Sequence, residues 1–369
     1  MHCKAHFCIA GRHFKDLKRE ETGRLMYRFG ELFRLTLGGE SHGTGIVVMV
    51  EGVPAGIPVQ EADFADALLR RRPRRVGETG RIEPDAVEVL TGVNGGRTTG
   101  LPITVLVRNT NTRSEDYADF RLHPRPGHAD YAALRKWGLH ADLRGGGMAS
   151  GRMTVGLVIA GVLARGVLPG VSVECLVDEV GGRSDWENSL QSAVQDGDSL
   201  GAMLSCRVTG VPAGMGDPFF DSLESLLAHA LFSIPGVKGL EFGSGFTMAR
   251  LRGSESNDRF VNARGVCSSN HNGGIAGGIS TGQDIVLRLA VRAPASIGQP
   301  QMTFHAGAGD VLPLRVGGRH DACFALRVPV VVESMVSLVL ADLALRRQAE
   351  LHAGAPVWGQ NCTALGWEP

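Results

Sequence analysis

Two stretches, "EGVPAGIPVQEADFADALLRRR" (Glu51–Arg72) and "TGVPAGMGDPFFDSLESLLAHAL" (Thr209–Leu231), follow one plan: a strand end, a V-P-A-G turn, then a helix. Proline presets φ and glycine frees it, so the same phrase dictates the same change of direction twice. An internal duplication, with two similar halves packed about a pseudo-twofold axis, accounts for the pair; independent reuse of one turn accounts for it equally well. Working outward, "FRLTLGG", "GIVVMVEGV", "AVEVLTGV", "PITVLVRNT" and "VSVECLVDEV" are short, β-branched and glycine-bounded, which predicts strands. Helices are expected over Gln60–Arg72, after Thr154, over Leu223–Ser233 and over Val328–His352, the last with an apolar spacing of about 3.6 that should pack it along the body. No steady βαβ period links these elements, which favours an α+β fold over a doubly wound sheet.

The chain has 369 residues, 43% of them hydrophobic, and a formal net charge of zero, enough for one large core or two smaller ones. Nothing in this balance points to nucleic acid or a membrane. No apolar run is long enough to span a bilayer as a helix. The N-terminal segment up to Leu25 lacks the continuous apolar stretch of a signal peptide. Seven scattered cysteines form neither a CxxC pair nor a zinc-spaced cluster, so no metal is expected and a reducing cytoplasm fits. Lysine occurs only at Lys4, Lys15, Lys18, Lys136 and Lys238, leaving nearly all positive charge to arginine. A GC-rich genome explains that bias; arginine is also the side chain that grips carboxylates and phosphates bidentately and stays charged when buried. Three of the five lysines fall within residues 1–25, which read as a loose extension or a mis-assigned start ahead of Met26.

Chemistry concentrates in "RPGHADYAALRKWGLHADLRGGGMASGRMT" (Arg125–Thr154). Gly145, Gly146 and Gly147 remove every Cβ from one turn, letting backbone N–H groups approach a phosphate or a flat ring. The apolar run from Val155 to Leu168 predicts a helix whose N-terminus would offer free donors to an anion; a plain tight turn before a core helix is the alternative. His42, between glycines in "GGESHGTG", is free to reach a ligand and to supply a proton near neutral pH, or is simply solvated. His128 lies between Arg125 and Asp130, with Arg144 further on; arginines depress an imidazole's pKa until an incoming phosphate reverses the field. "RHD" at Arg319–Asp321 and the five-glycine stretch Ser268–Asp284 are two further dense turns, the second suited to close approach by a planar cofactor. "GGMASGRM" (Gly146–Met153) is no P-loop, since Arg152 and Met153 stand where lysine and a hydroxyl residue belong. No GxGxxG follows a strand and no GxSxG is present, so neither a dinucleotide fold nor a hydrolase elbow is supported.

Several of these phrases, in this order, resemble the chorismate synthase family: "FGELFRLTLGGESHG" (Phe29–Gly43), "EGVPAGIP", "RRRP" (Arg70–Pro73), "EPDAVEVLTGV", "RPGHADY", "DLRGGG", "GVKGLEFGSGF", "NHNGGIAGGISTGQD" and "GRHDACFALRVPVVVESM" (Gly318–Met335). The resemblance implies one catalytic domain over residues 26–369, a β-α-β sandwich of two antiparallel sheets around helices. It also implies a homotetramer and a lyase of the shikimate pathway. The reaction would be 1,4-anti elimination of phosphate from 5-enolpyruvylshikimate 3-phosphate, with reduced FMN required, not consumed, and supplied from outside. By position, His42 matches a histidine that protonates reduced flavin, His128 the acid toward phosphate, and Asp321 an aspartate near the flavin's reactive nitrogen. Arg71, Arg125 and Arg327 match contacts to substrate or nucleotide (NADP). Met148, Ala149, Ser150, Pro235, Gly236, Gly277, Arg292, Ala293, Pro294, Ala295, Ser296 and Arg319 match FMN contacts.

The sequence departs from the commoner family pattern at the flavin. Met148 replaces an arginine, "SGRMT" replaces S-A-R-E-T, Pro235–Gly236 replaces Asn-Ala, "RAPAS" (Arg292–Ser296) replaces Lys-Pro-Thr-x-Ser, and "RRVGETGR" (Arg74–Arg81) alters the tract after "RRRP". Both histidines and Asp321 are kept. A flavin-binding homologue without catalysis is the second expectation, and an NAD(P)H-dependent oxidoreductase, lacking the dinucleotide fingerprint, the third.

Overall fold

The computed structural model describes residues 27–74, 76–318 and 320–352; the extension expected over residues 1–25 lies outside them. The first half runs β1 (Arg28–Phe29), β2 (Arg34–Gly39), β3 (Gly45–Glu51), α1 (Glu61–Arg71), β4 (Val87–Thr91), β5 (Val93–Asn94), β6 (Arg97–Thr98), β7 (Ile103–Arg108), α2 (Asp130–Trp137) and α3 (Thr154–Gly166). The second half runs β8 (Ser172–Val180), α4 (Glu187–Asp196), β9 (Ala202–Thr209), α5 (Leu223–Leu231), β10 (Val237–Phe242), α6 (Gly253–Ser256), β11 (Ile275–Ala276), β12 (Ile279–Ser280), β13 (Ile285–Val291), β14 (Gln301–Phe304), β15 (Val311–Leu314) and α7 (Pro329–His352).

Two antiparallel sheets form, ordered β1-β2-β3-β7-β4 and β10-β13-β9-β8. Read from the other edge, β8-β9-β13-β10 repeats β2-β3-β7-β4, so the duplication expected from the V-P-A-G phrases is present in the topology. It persists in the hydrogen bonds of the turns. Thr98 Oγ1 donates to Pro54 O and Ser280 Oγ to Pro212 O, both at 2.6 Å; Gly56 N donates to Thr98 O and Gly214 N to Ser280 O, both at 2.8 Å. Gly56 and Gly214 take φ of +88° and +91°. That region is closed to most side chains, which is why the phrase ends in glycine twice.

Helices fill the space between the sheets. Strands of each sheet alternate buried and exposed residues, as Ile46, Val48 and Val50 do on β3, and their buried faces join α1, α3, α5 and α7 in one continuous apolar core. α3 lies against the first sheet, where a Cβ at Gly156 would meet Leu37 and Val48. It crosses α7 so closely that a Cβ at Gly161 would sit 2.3 Å from Ser334 Cβ.

α7 lies where a helix packed along the body was expected, and every residue from Val330 to Leu343 is buried, because this helix is enclosed by α3, α5 and the second sheet. Its polar groups are satisfied internally, as burial requires. Asp342 accepts the backbone N–H groups of Glu31, Leu32 and Phe33, and Glu333 takes both Arg70 guanidinium nitrogens and Cys175 N–H. Among the described residues no helix is long and apolar enough to cross a membrane.

Candidate active site

The long connections β7–α3 (residues 109–153) and β13–α7 (residues 292–328) occupy equivalent places in the two halves and meet over a cavity of about 570 Å³, within the range of small-molecule sites. His42, Arg71, Arg125, His128, Ala149, Ser150, Pro235, Gly236, Arg292–Ser296, Asp321 and Arg327 all line it. Side chains from both ends of the chain therefore share one wall.

The glycine turn makes room for both histidines. Gly145, Gly146 and Gly147 take φ of +59°, +83° and +54°. A Cβ at Gly145 would lie 2.6 Å from His42 Cδ2, and one at Gly146 would lie 3.4 Å from His128 Cε1. Gly147 O accepts Ser41 N–H at 3.2 Å, tying the turn to the His42 loop. The turn does not open directly onto a helix, as the sequence led us to expect: Gly151–Met153 forms a 3-10 turn first, with Ser150 Oγ accepting Arg152 N–H, and α3 begins only at Thr154.

Each imidazole is anchored through Nδ1. His128 Nδ1 lies 2.8 Å from Asp130 Oδ1, and Arg125 grips the same carboxylate through Nε and Nη2 at 2.7 and 2.8 Å. Burial alone would raise the Asp130 pKa, but the hydrogen bonds from Arg125 and His128 outweigh it and hold the carboxyl well below its usual range. His42 Nδ1 lies 3.1 Å from Ser114 Oγ, and its ring stands edge-on to Tyr117. Burial, then the charges of Arg81 and Arg144, push the His42 pKa below its ordinary value.

Cations crowd the floor. Asp85 is buried between Arg71, at 2.7 Å, and Arg152; its own desolvation is outweighed by these two guanidiniums, which hold it ionised. Two buried arginines on one carboxylate leave a net positive charge. Arg71 Nε and Arg327 Nε are buried without a protein partner among the described residues, so donors remain for an anion. Arg327 and Thr79 N–H both bond Asp321 Oδ1, at 2.6 and 2.9 Å, fixing that carboxylate at the rim. Arg292 donates to Gly127 O at 2.7 Å, joining the "RAPAS" segment to the His128 loop.

Two residues matched to FMN contacts stand elsewhere. Met148 does not line the cavity and packs against the apolar core, as a methionine does where the commoner arginine could not. Gly277 is the turn glycine of the β11–β12 hairpin, with a positive φ like that of its counterpart Gly95 in the β5–β6 hairpin. It lies beyond the far end of the β10–β13 pair, and the turn explains its glycine. Arg319 falls outside the described residues.

Sequence reasoning missed Ser41, Glu83, Asp85, Tyr117, Arg152 and Lys238, all in the cavity wall, where Arg81 from the altered tract after "RRRP" also stands. The duplication carried a signal for Arg152. It stands two residues before α3, as Arg327 stands two residues before α7, and each pairs with an aspartate, Asp85 or Asp321.

The sequence profile of the chorismate synthase family matches residues 33–345. The chain belongs to the chorismate synthase family. It is 48% identical over 324 residues to a chorismate synthase of Chitinophaga pinensis, covering 88% of this chain and 98% of that one. It is 43% identical over 350 residues to the enzyme of Methanosarcina mazei, covering 86% and 96%. A crystal structure of chorismate synthase superposes with a TM-score of 0.66 at 25% identity, covering 86% of this chain and 93% of that one. Chorismate synthases are carbon–oxygen lyases that remove phosphate from 5-enolpyruvylshikimate 3-phosphate and use reduced flavin. A cavity rich in buried arginine and flanked by two imidazoles suits a reaction that takes a polyanion and releases phosphate.

Proposed function

We propose that this chain converts 5-enolpyruvylshikimate 3-phosphate to chorismate by 1,4-anti elimination, with reduced FMN neither gained nor lost in a turnover. The observation that carries the reading is the pair of imidazoles meeting one glycine turn above a floor of excess guanidinium charge. Arg71, Arg152 and Arg327, all in the cavity wall, bind the anionic groups of the substrate through their guanidinium charge. The C–O bond to phosphate breaks with its electron pair leaving on phosphate, and the C–H bond across the ring breaks with its pair forming the new diene and its hydrogen lost as a proton, so the departing phosphate needs a proton or equivalent charge stabilisation.

The electrostatics support the reverse of the histidine roles that the resemblance implied. His42 sits in the field of Arg81 and Arg144 and is kept neutral in the free protein; a phosphate dianion reverses that field and makes Nε2 its proton donor. His128, held by Asp130, adjoins Gly146 and is linked through Arg125 and Gly127 to Ser296 and Arg292, the segment matched to flavin contacts. With Nδ1 turned to that carboxylate, His128 Nε2 is the ring nitrogen left to face the flavin segment. Reduced FMN, when bound, supplies electron density to the allylic system.

Ala149, Ser150, Pro235, Gly236 and Arg292–Ser296 would hold FMN. At Gly236 any Cβ would strike Phe324 Cζ at 2.3 Å, so the wall stays flat there, as a planar ring requires. The family likeness supports a homotetramer supplied with reduced flavin from outside. The buried free thiols of Cys175, Cys206 and Cys323 support a reducing, cytoplasmic setting.

Anaerobic incubation with reduced FMN and 5-enolpyruvylshikimate 3-phosphate, following phosphate and chorismate together, tests the reading. Equal yields without net flavin oxidation are expected. Binding without turnover, or flavin consumed mole for mole, overturns it.

A further inference from the structure

We propose that Ser114 is a positioning residue for His42: its hydroxyl accepts the Nδ1–H of the imidazole from behind and so makes Nε2, on the cavity side, the atom that gives up the proton. This deepens the reading above and rests on it for its kinetic part. His42 lines the cavity and Ser114 does not, although their Nδ1 and Oγ atoms are 3.1 Å apart. No other described group hydrogen-bonds the His42 ring. The ring is otherwise held by non-directional contacts: Gly145 beside Cδ2 and Nε2, and Tyr117, whose ring centroid is 5.0 Å away at an interplanar angle of 82°. Neither contact distinguishes one nitrogen from the other, so the hydrogen bond to Ser114 is what turns Nδ1 away from the cavity and Nε2 toward it.

The two histidines thereby receive the same orientation from different partners. Asp130 anchors His128 with a negative charge. Ser114 anchors His42 with a neutral hydroxyl, which orients the ring without adding charge. The groups whose charge reaches His42 are Arg81 and Arg144 on one side of the balance and Asp142 and Glu83 on the other. A carboxylate in place of Ser114 would keep the imidazole charged before substrate arrives; a hydroxyl leaves its protonation to the substrate phosphate. When Nε2 releases its proton, Nδ1–H remains bonded to Ser114 Oγ, so the ring needs no flip between turnovers.

Ser114 opens the 3-10 segment Ser114–Arg121, and the same segment reaches the other histidine. The Arg125 guanidinium lies over the rings of Phe120 and Tyr117, with its carbon 4.3 and 5.5 Å from their centroids, while Arg125 Nη2 is 3.2 Å from His128 Nδ1. One short stretch of chain therefore braces both imidazoles.

Threonine and valine at this position have the same shape and differ in the hydroxyl, so S114T and S114V separate hydrogen bonding from packing. In ligand-free protein, long-range 15N–1H correlation should show His42 as the Nδ1–H tautomer in the wild type and S114T, and as a mixture in S114V. The His42 signals are assigned by their loss in H42Q. In turnover, S114V should lose about tenfold in kcat, the worth of one hydrogen bond of ordinary strength, with KM for 5-enolpyruvylshikimate 3-phosphate within about twofold, and S114T should recover the rate. An S114V protein that keeps the wild-type tautomer and kcat overturns the proposal. The tautomer measurement needs no substrate, so a failure of the proposed reaction leaves it intact as a test of Ser114.

Discussion

The imidazoles of His42 and His128, far apart in sequence, meet neighbouring residues of a single turn, His42 at Gly145 and His128 at Gly146. Neither glycine is replaceable without cost. Gly145 combines φ of +59° with a Cβ position 2.6 Å from the His42 ring, whereas Gly146 combines φ of +83° with ordinary contact to His128.

Gly145→Ala should therefore cripple the site while sparing the fold. The added methyl must displace His42 from Ser114, and kcat should fall by about 100-fold, as misplacement of a catalytic group by an ångström does, with only the modest drop in thermal midpoint that alanine at a positive φ brings. Steady-state kinetics beside a melting curve checks this, and wild-type activity in the variant would sink it.

The pH dependence of turnover should separate free from bound enzyme. Burial, Arg81 and Arg144 lower the His42 pKa in the free protein, so the alkaline decline of kcat/KM should begin below the ordinary histidine value of about 6.5. Bound phosphate raises that pKa, moving the alkaline limb of kcat to higher pH. Coincident limbs in the two profiles would contradict the assignment.

Asp85 should matter to stability as well as to the site. Removing its charge in Asp85→Asn leaves Arg71 and Arg152 facing each other in a buried setting, and unpairing a buried ion pair costs about 3–5 kcal/mol. The sign with pH follows from the lowered pKa of this carboxyl. Its stabilisation is fully present above the unfolded value of about 4 and is lost as pH falls through the lower folded value. Denaturant unfolding of wild type and variant from about pH 7 downward should show their difference shrinking on the acid side.

The duplicated turns should respond alike to the same injury. Thr98→Val and Ser280→Ala each remove a hydroxyl that donates to a proline carbonyl and accepts a backbone N–H, at 3.0 Å from Ile57 and 2.9 Å from Met215. Each should cost about 1–3 kcal/mol, the penalty for stranded buried groups. A loss at one turn and none at the other, measured by chemical unfolding, would separate two sites that the fold makes equivalent.

Much of the architecture was legible because local chemistry and fold agree. The V-P-A-G phrases predicted two strand–turn–helix units, and the strands β2, β3, β4, β7 and β8 fall where short β-branched runs are bounded by glycine. The surround of α7 was not legible. Its apolar spacing marked a helix packed along the body, and only the second sheet, assembled from residues 172–291, closes it in completely. The same holds at the site. His42, His128, Arg71, Arg125, Asp321 and Arg327 stand out in sequence, but Asp85 and Glu83 look like ordinary loop residues until Arg71, Arg81 and Arg152 arrive from other elements. At Gly277, matched to a flavin contact through the family resemblance, the hairpin turn by itself accounts for the glycine.

The central claim is that His42 serves the phosphate and His128 the flavin. Anaerobic single turnover of His42→Ala, mixed with reduced FMN and 5-enolpyruvylshikimate 3-phosphate and followed by flavin absorbance and phosphate release together, tests it most directly. Phosphate release should slow by about two to four orders of magnitude, the reach of general acid catalysis, while the reduced-flavin spectrum on binding matches wild type. Phosphate release near the wild-type rate, or a change in the protonation of the bound reduced flavin, would contradict the account.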